Sequence, residues 1–260
     1  MAELIDKQQY NYIVDIIKSC KYTSIDHPEY AKFTKYEINK MDESTILLID
    51  NSKSPIHIHW ATNSLTHFIE DLKKLNTSIF VNFVPTEFVE SLENIGFKII
   101  CEFIDFFNED IKNTEITFSK YNNIEFLLPS ELEQTSRVSR LCQLQSRGFT
   151  GETVAWFEKW IRENKVIVVK KDSDIIGYCC VSIYANGAIL WIREIAVNPQ
   201  YQRKGYGKLL IEQALCYGID NGAKRGFLAT DILNEQAIEL YRKYNFVPRS
   251  GESEIQMIKE

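Results

Sequence analysis

The sequence predicts an α+β fold, a mixed and mostly antiparallel sheet flanked by helices, laid out as two tandem halves. Three observations predict it. Residues 165–197 read as three strands joined by tight turns. A helical stretch then separates the third strand from a further buried one, so a single crossover follows a meander. A weaker version of the same order recurs between residues 45 and 107.

In the first half, Thr45 to Asp50 (TILLID), Pro55 to Trp60 (PIHIHW) and Ser78 to Val84 (SIFVNFV) are runs of β-branched and aromatic residues, the pattern of strands. Ser64 to Leu75 and Thr86 to Asn94 have helical spacing, and Gly96-Phe97 leads into a strand over Lys98 to Phe107. Further on, Asn123 to Leu128 reads as a strand, and Glu131 to Gln145 and Thr153 to Asn164 as helices. The second of these helices carries Trp156, Phe157 and Trp160 on one side.

Strands are expected at Lys165–Lys171 and Ile175–Tyr184, turning at Asp172-Ser173-Asp174, and at Ala188–Val197 after the Asn186-Gly187 turn. Pro199 stops the strand pairing. Gly205 opens a helix with Leu209, Leu210, Ala214 and Leu215 at helical spacing, and Phe227 to Ile232 is a buried strand. Asn234 is a suitable N-cap for a helix over Glu235–Tyr244, and a final strand pair is expected over Phe246–Lys259.

The segment Gln202-Arg203-Lys204-Gly205-Tyr206-Gly207 stands between a strand and a helix. Its two glycines allow a tight turn with inward N–H groups, and the helix start adds its positive dipole end. That combination suits a pyrophosphate. It is neither a Walker loop nor a complete dinucleotide fingerprint. Arg203, Lys204 and Lys208 add positive charge around it.

The run IREIAVNPQYQRKGYGKLLIEQAL resembles the signature of the GNAT superfamily of acetyltransferases, whose loop pattern is [QR]-x-x-G-x-[GA]. Asn234, Ala237, Leu240, Tyr241, Lys243 and Phe246 match the same family downstream. One departure is Tyr244-Asn245, where the family most often has glycine before the phenylalanine; Asn tolerates a left-handed backbone there. The likeness covers residues 123–260 as one acetyltransferase domain. Residues 1–120 are then an accessory domain or a degenerate copy of that fold, because Ala61 to Thr66 offers no glycine where the loop would be. The stretch FVESLENIGF is similar to IELYRKYNF.

The resemblance implies acetyl-CoA as co-substrate, lying in a V between two splayed strands. It implies pantetheine amides on the backbone of Ile195, Ala196 and Val197, and diphosphate on the turn from Gln202 through Arg203, Lys204, Gly205, Tyr206, Gly207 and Lys208. Asn234 and Ala237 form the other wall, and Tyr241 stands against the CoA sulfur as general acid or thiolate stabiliser. Strand alternation puts Ile192, Glu194 and Ala196 on one face, with Trp191 and Arg193 opposite unless the strand bulges. Glu194 is the candidate general base. Arg147 is a candidate for binding an acceptor carboxylate, and Trp156, Phe157 and Trp160 either fill core or wall the acceptor pocket.

A primary amine of a small molecule, amino acid derivative or peptide is the expected acceptor, attacked directly in a ternary complex. A Cys nucleophile is disfavoured, since Cys179 and Cys180 face opposite ways on a strand and no histidine occurs in this half. The competing reading is an acyl-CoA-binding sensor without turnover.

Composition is ordinary, with 45% hydrophobic and 25% charged residues. A formal net charge of −6 disfavours nucleic acid as a partner. The start lacks a signal-peptide pattern and no run has the length of a membrane span, so a cytoplasmic location without membrane association is expected. The six cysteines show no C-x-x-C pairing. His27, His57, His59 and His67 all lie in the first quarter; His57 and His59 share a strand face without a third ligand at useful spacing, so no metal is expected.

Overall fold

The computed structural model describes residues 5–25, 28–117, 124–143 and 145–260. His27, Asn123 and the expected domain boundary at 120–123 lie outside the described residues. The chain divides into two compact units, residues 1–102 with 253–260, and residues 103–252.

The first unit contains α1 (Lys7–Ser19), β1 (Tyr22–Thr23), α2 (Tyr30–Phe33), β2 (Glu37–Met41), β3 (Thr45–Asp50), β4 (Ile56–Thr62), α3 (Leu65–Lys73), β5 (Ile79–Val84), α4 (Thr86–Glu93) and the start of β6 (Lys98–Asn108). The second holds β7 (Glu125–Phe126), α5 (Leu132–Leu141), α6 (Val154–Trp160), β8 (Lys165–Lys171), β9 (Asp174–Tyr184), β10 (Ile189–Val197), α7 (Tyr206–Asp220), β11 (Arg225–Asp231), α8 (Glu235–Arg242) and the start of β12 (Val247–Lys259). Among the described residues no helix is long and apolar enough to cross a membrane.

In the first unit the strand order is β2-β3-β4-β5-β12, with β1 also on β4. In the second it is β6-β11-β10-β9-β8-β7. The described pairings are antiparallel except β4–β5 and β10–β11, which are parallel. Each parallel pair is joined through a helix, α3 or α7, which is the crossover the sequence predicts.

The helix-to-strand endings match as well. Phe97 N–H donates to the Leu92 carbonyl and Phe246 N–H to the Tyr241 carbonyl, at 3.1 and 3.2 Å. The residue before each phenylalanine is left-handed, Gly96 at φ 96° and Asn245 at φ 59°, so asparagine fills a glycine position here. Both phenylalanines are buried.

The expected strand pair over Phe246–Lys259 is instead one strand, β12, because its far half finds a partner in β5: Ile255 pairs with Val84 and Ile258 with Phe80. Reciprocally, the far half of β6 pairs with β11, from Phe103↔Asp231 to Asn108↔Gly226. Each unit is therefore completed by the last strand that follows the other unit's helix.

Two buried clusters sandwich the sheet of the second unit. Leu190, Ile192, Val197, Leu210, Ala214, Tyr241 and Phe246 belong to one, with α7 and α8. Val138, Phe157, Tyr178, Cys180 and Ala196 belong to the other, with α5 and α6. Gly218 allows α7 to sit close on β10, where an added Cβ would meet Leu190 Cδ2 at 2.8 Å.

Candidate functional site

Strand β10 pairs with β9 from Ile189 to Val197, but with β11 only over Ile189, Leu190 and Trp191. Beyond Trp191 the two parallel strands part. The edge of β10 that carries Ile195, Ala196 and Val197 faces this opening, and among the described pairings no strand fills it.

The turn that follows closes the end of the opening. Asn198 Oδ1 accepts from Gln200 N–H at 3.1 Å, and Gln202 Nε2 donates to the Val197 carbonyl at 2.9 Å. Arg203 (φ 62°) and Gly205 (φ 89°) are left-handed and reverse the chain into α7. Glycine adopts this without strain, whereas Arg203 spends about 1–2 kcal/mol on it. Gly205 is the N-cap of α7 and no side chain caps the helix, so the first-turn N–H groups around Tyr206, Gly207 and Lys208 point out of the helix start. Arg203, Lys204 and Lys208 are exposed around them. An added Cβ at Gly207 would lie 3.5 Å from Leu240 Cδ2, which brings α8 alongside the start of α7. Asn234 caps α8, its Oδ1 accepting from Ala237 N–H at 3.2 Å, and Ala237 is half-buried against the α7 cluster.

The alternation expected along β10 does not hold. A bulge falls between Ile192 and Glu194, so Ile192 packs on the α7 side while Glu194 and Ala196 face α5 and α6. The bulge also swings Arg193 to the Glu194 side. Glu194 is buried; Tyr178 O–H donates to its Oε1, and Arg193 Nη1 lies 3.0 Å from its Oε2. Burial is the main reason its carboxyl is raised to about 7, against the opposing pull of Tyr178 and Arg193.

Tyr241 lies on the other face, its ring edge-on to Phe106 and Phe246 at 6.3 and 6.5 Å. Burial holds its phenol well above the usual value, so it is protonated at neutral pH. Cys179, on β9, is within electrostatic reach of both Tyr241 and Glu194. Cys179 and Cys180 point to opposite clusters, and burial raises both thiols far out of the reactive range.

Arg147 is not available for an acceptor carboxylate: its Nε and Nη2 pair with Asp231 Oδ2 and Oδ1, both at 2.8 Å, and a buried carboxylate with this fork geometry holds the guanidinium. The aromatic trio divides. Phe157 is core, whereas Trp156 and Trp160 are half-exposed and stacked at 5.1 Å beside Arg193. Tyr178 and Glu152, both joined to this network, escape a sequence reading because only strand register and the bulge bring them to Glu194.

In the first unit the equivalent opening is filled. Strands β4 and β5 pair only over Ile56–Ile58 and Ile79–Val81, and β1 then takes the vacated edge of β4, with Tyr22 opposite Thr62 and Thr23 opposite Ala61. Ser24 N–H donates to the Trp60 carbonyl and Trp60 N–H to Ser24 Oγ, both at 2.8 Å, while Trp60 Nε1 reaches the Asn82 carbonyl on β5 at 3.1 Å. Helix α3 is capped by Ser64, whose Oγ accepts from His67 N–H. His57 and His59 stack on Phe80 and Tyr36.

Two parallel strands thus part beside a helix start that no side chain caps. Residues 135–246 match the model of the acetyltransferase (GNAT) family. The chain is 32% identical over 80 residues to streptothricin acetyltransferase of Streptomyces lavendulae, covering 31% of this chain and 42% of that protein. It is 30% identical over 82 residues to a putative [ribosomal protein bS18]-alanine N-acetyltransferase of Bacillus subtilis (strain 168), covering 32% of this chain and 53% of that one. The chain thus spans about half, or less, of the length of these relatives. A GCN5-related N-acetyltransferase from Sphaerobacter thermophilus superposes with a TM-score of 0.63 at 11% identity, covering 100% of this chain and 95% of that one, so the shared fold includes the first unit.

Proposed function

We propose that the second unit is an N-acetyltransferase that moves an acetyl group from acetyl-CoA to a primary amine of a small molecule, amino acid derivative or peptide, by direct attack in a ternary complex. The observation that carries this reading is the open β10 edge leading from a buried, near-neutral carboxyl to an uncapped helix start. The names of two relatives, a streptothricin acetyltransferase and a putative [ribosomal protein bS18]-alanine N-acetyltransferase, are compatible with an amine acceptor.

Acetyl-CoA supplies the thioester. The Ile195, Ala196 and Val197 backbone would pair with its amide arm, and the first-turn N–H groups of α7 with its diphosphate, assisted by Arg203, Lys204 and Lys208. Ala237 and Asn234 would form the facing wall. Glu194, at about 7, is divided between its two protonation states at neutral pH, and its ionised form can take the proton the attacking amine must lose, directly or through water. A β10 N–H at the bulge would hold the oxygen that gains charge. Tyr241, kept protonated by burial, would donate a hydrogen bond to the departing sulfur and stabilise it as thiolate, which takes up its proton from solvent.

The test is release of free CoA thiol across a panel of primary amines, with Tyr241→Phe alongside. The substitution should lower kcat by roughly 10²-fold and leave acetyl-CoA affinity within about twofold. Coenzyme binding without thiol release for any amine would favour a CoA sensor, and no binding at all would end the reading.

A further inference from the structure

We propose that Arg193 is a positioning residue for Glu194: its guanidinium, shared between Glu194 and Glu152 and clamped on an indole, sets how readily Glu194 exchanges a proton. The inference rests on the reading of Glu194 as the base.

The geometry is specific. Arg193 Nη1 lies 3.0 Å from Glu194 Oε2 and Nη2 lies 3.0 Å from Glu152 Oε1. The guanidinium carbon sits 4.3 Å from the Trp156 ring centre and 5.6 Å from that of Trp160. Glu152 is itself fixed, its N–H donating to Ser139 Oγ at 2.7 Å and its carbonyl accepting from Ser136 Oγ at 2.9 Å. In a regular strand Arg193 and Glu194 would point to opposite faces, so the β10 bulge creates this contact.

Arg193 and Glu152 are also the charged groups that reach Glu194. From β9 Tyr178 donates to it, and Cys179 and Cys180 lie within electrostatic reach, as does Cys142 at the C-cap of α5. Burial raises every one of these acids, Cys142 to about 11, so they are neutral in the working range. Tyr178 donates a hydrogen bond but carries no charge. Protonation of Glu194 is therefore governed by a cation that favours the carboxylate and by Glu152, which opposes it.

The experiment is a carbon-13 NMR titration of the glutamate carboxyl groups in the full chain, with the Glu194 signal assigned by its loss in Glu194→Gln. It needs no acceptor, so its outcome is separate from that of the thiol-release assay. The native signal should titrate near pH 7. In Arg193→Met, which keeps an apolar stem against Trp156, the midpoint should rise by about one unit or more. In Glu152→Gln, which keeps an oxygen for Nη2 but removes the charge, it should fall. Arg193→Lys should return it part of the way. Where an amine substrate is in hand, the acidic limb of kcat/KM should move with the same signs. The opposite signs exclude a merely structural role, because loosened packing would not raise one midpoint and lower the other. Midpoints unchanged, or moved the same way in both variants, would overturn the proposal. Should Arg193→Met fail to fold, a Glu152→Gln midpoint at or above the native one overturns it alone.

Discussion

The two units solve the same geometric problem in opposite ways. Each parts a parallel strand pair after three residue pairs. In the first, β1 and the Trp60 indole seal the gap, and Ser64 satisfies the start of α3. In the second, the β10 edge stays open and a left-handed glycine begins α7 with no side-chain cap. Unpaired backbone groups are costly unless something meets them, whether the chain itself or a ligand. In the first unit the chain itself meets these groups, whereas in the second, among the described pairings, the β10 edge beyond Trp191 has no strand partner on that side.

The largest effect expected is on folding. A fragment of residues 123–260 has β11 without β6 and the end of β12 without β5. It should show no cooperative thermal transition by circular dichroism; a sharp melt would mean that the exchanged strands are dispensable. Next comes Trp60→Ala, which should cost about 3–5 kcal/mol in chemical denaturation, as for other buried indoles. Native protein should bind one equivalent of acetyl-CoA by calorimetry, and a second equivalent would erase the distinction between sealed and open units. The smallest effect separates two left-handed glycines. Gly205→Ala and Gly96→Ala should each cost about 1–2 kcal/mol, since both have φ near 90°. Gly205→Ala alone should also weaken acetyl-CoA, by about tenfold if the turn shifts by the same energy. Equal affinity in both variants would show that the turn does not hold the coenzyme.

Much of this architecture is legible in the sequence. TILLID is β3, KVIVVKK is β8, and the Gly205 turn opens α7, because strand periodicity and glycine placement are local properties. The likeness of FVESLENIGF to IELYRKYNF reflects a shared left-handed residue before a buried phenylalanine. The turn between β10 and α7 was legible because it depends on a contiguous motif, from Val197 to Lys208. The candidate site was not legible where it depends on register. Face assignment along β10 fails at Arg193, since one extra residue inverts every later side chain, and Arg147 proves to be committed to Asp231, 84 positions away.

The residues alone determined the order of most elements from Thr45 onward and the glycine-containing turn before α7, since each is encoded within a few neighbouring positions. Tertiary structure decided which strand completes each unit, which gap is sealed, and which groups surround Glu194. Those outcomes are set by long-range pairing and burial, where the cost of an unsatisfied edge or a desolvated charge depends on what the rest of the chain brings to it.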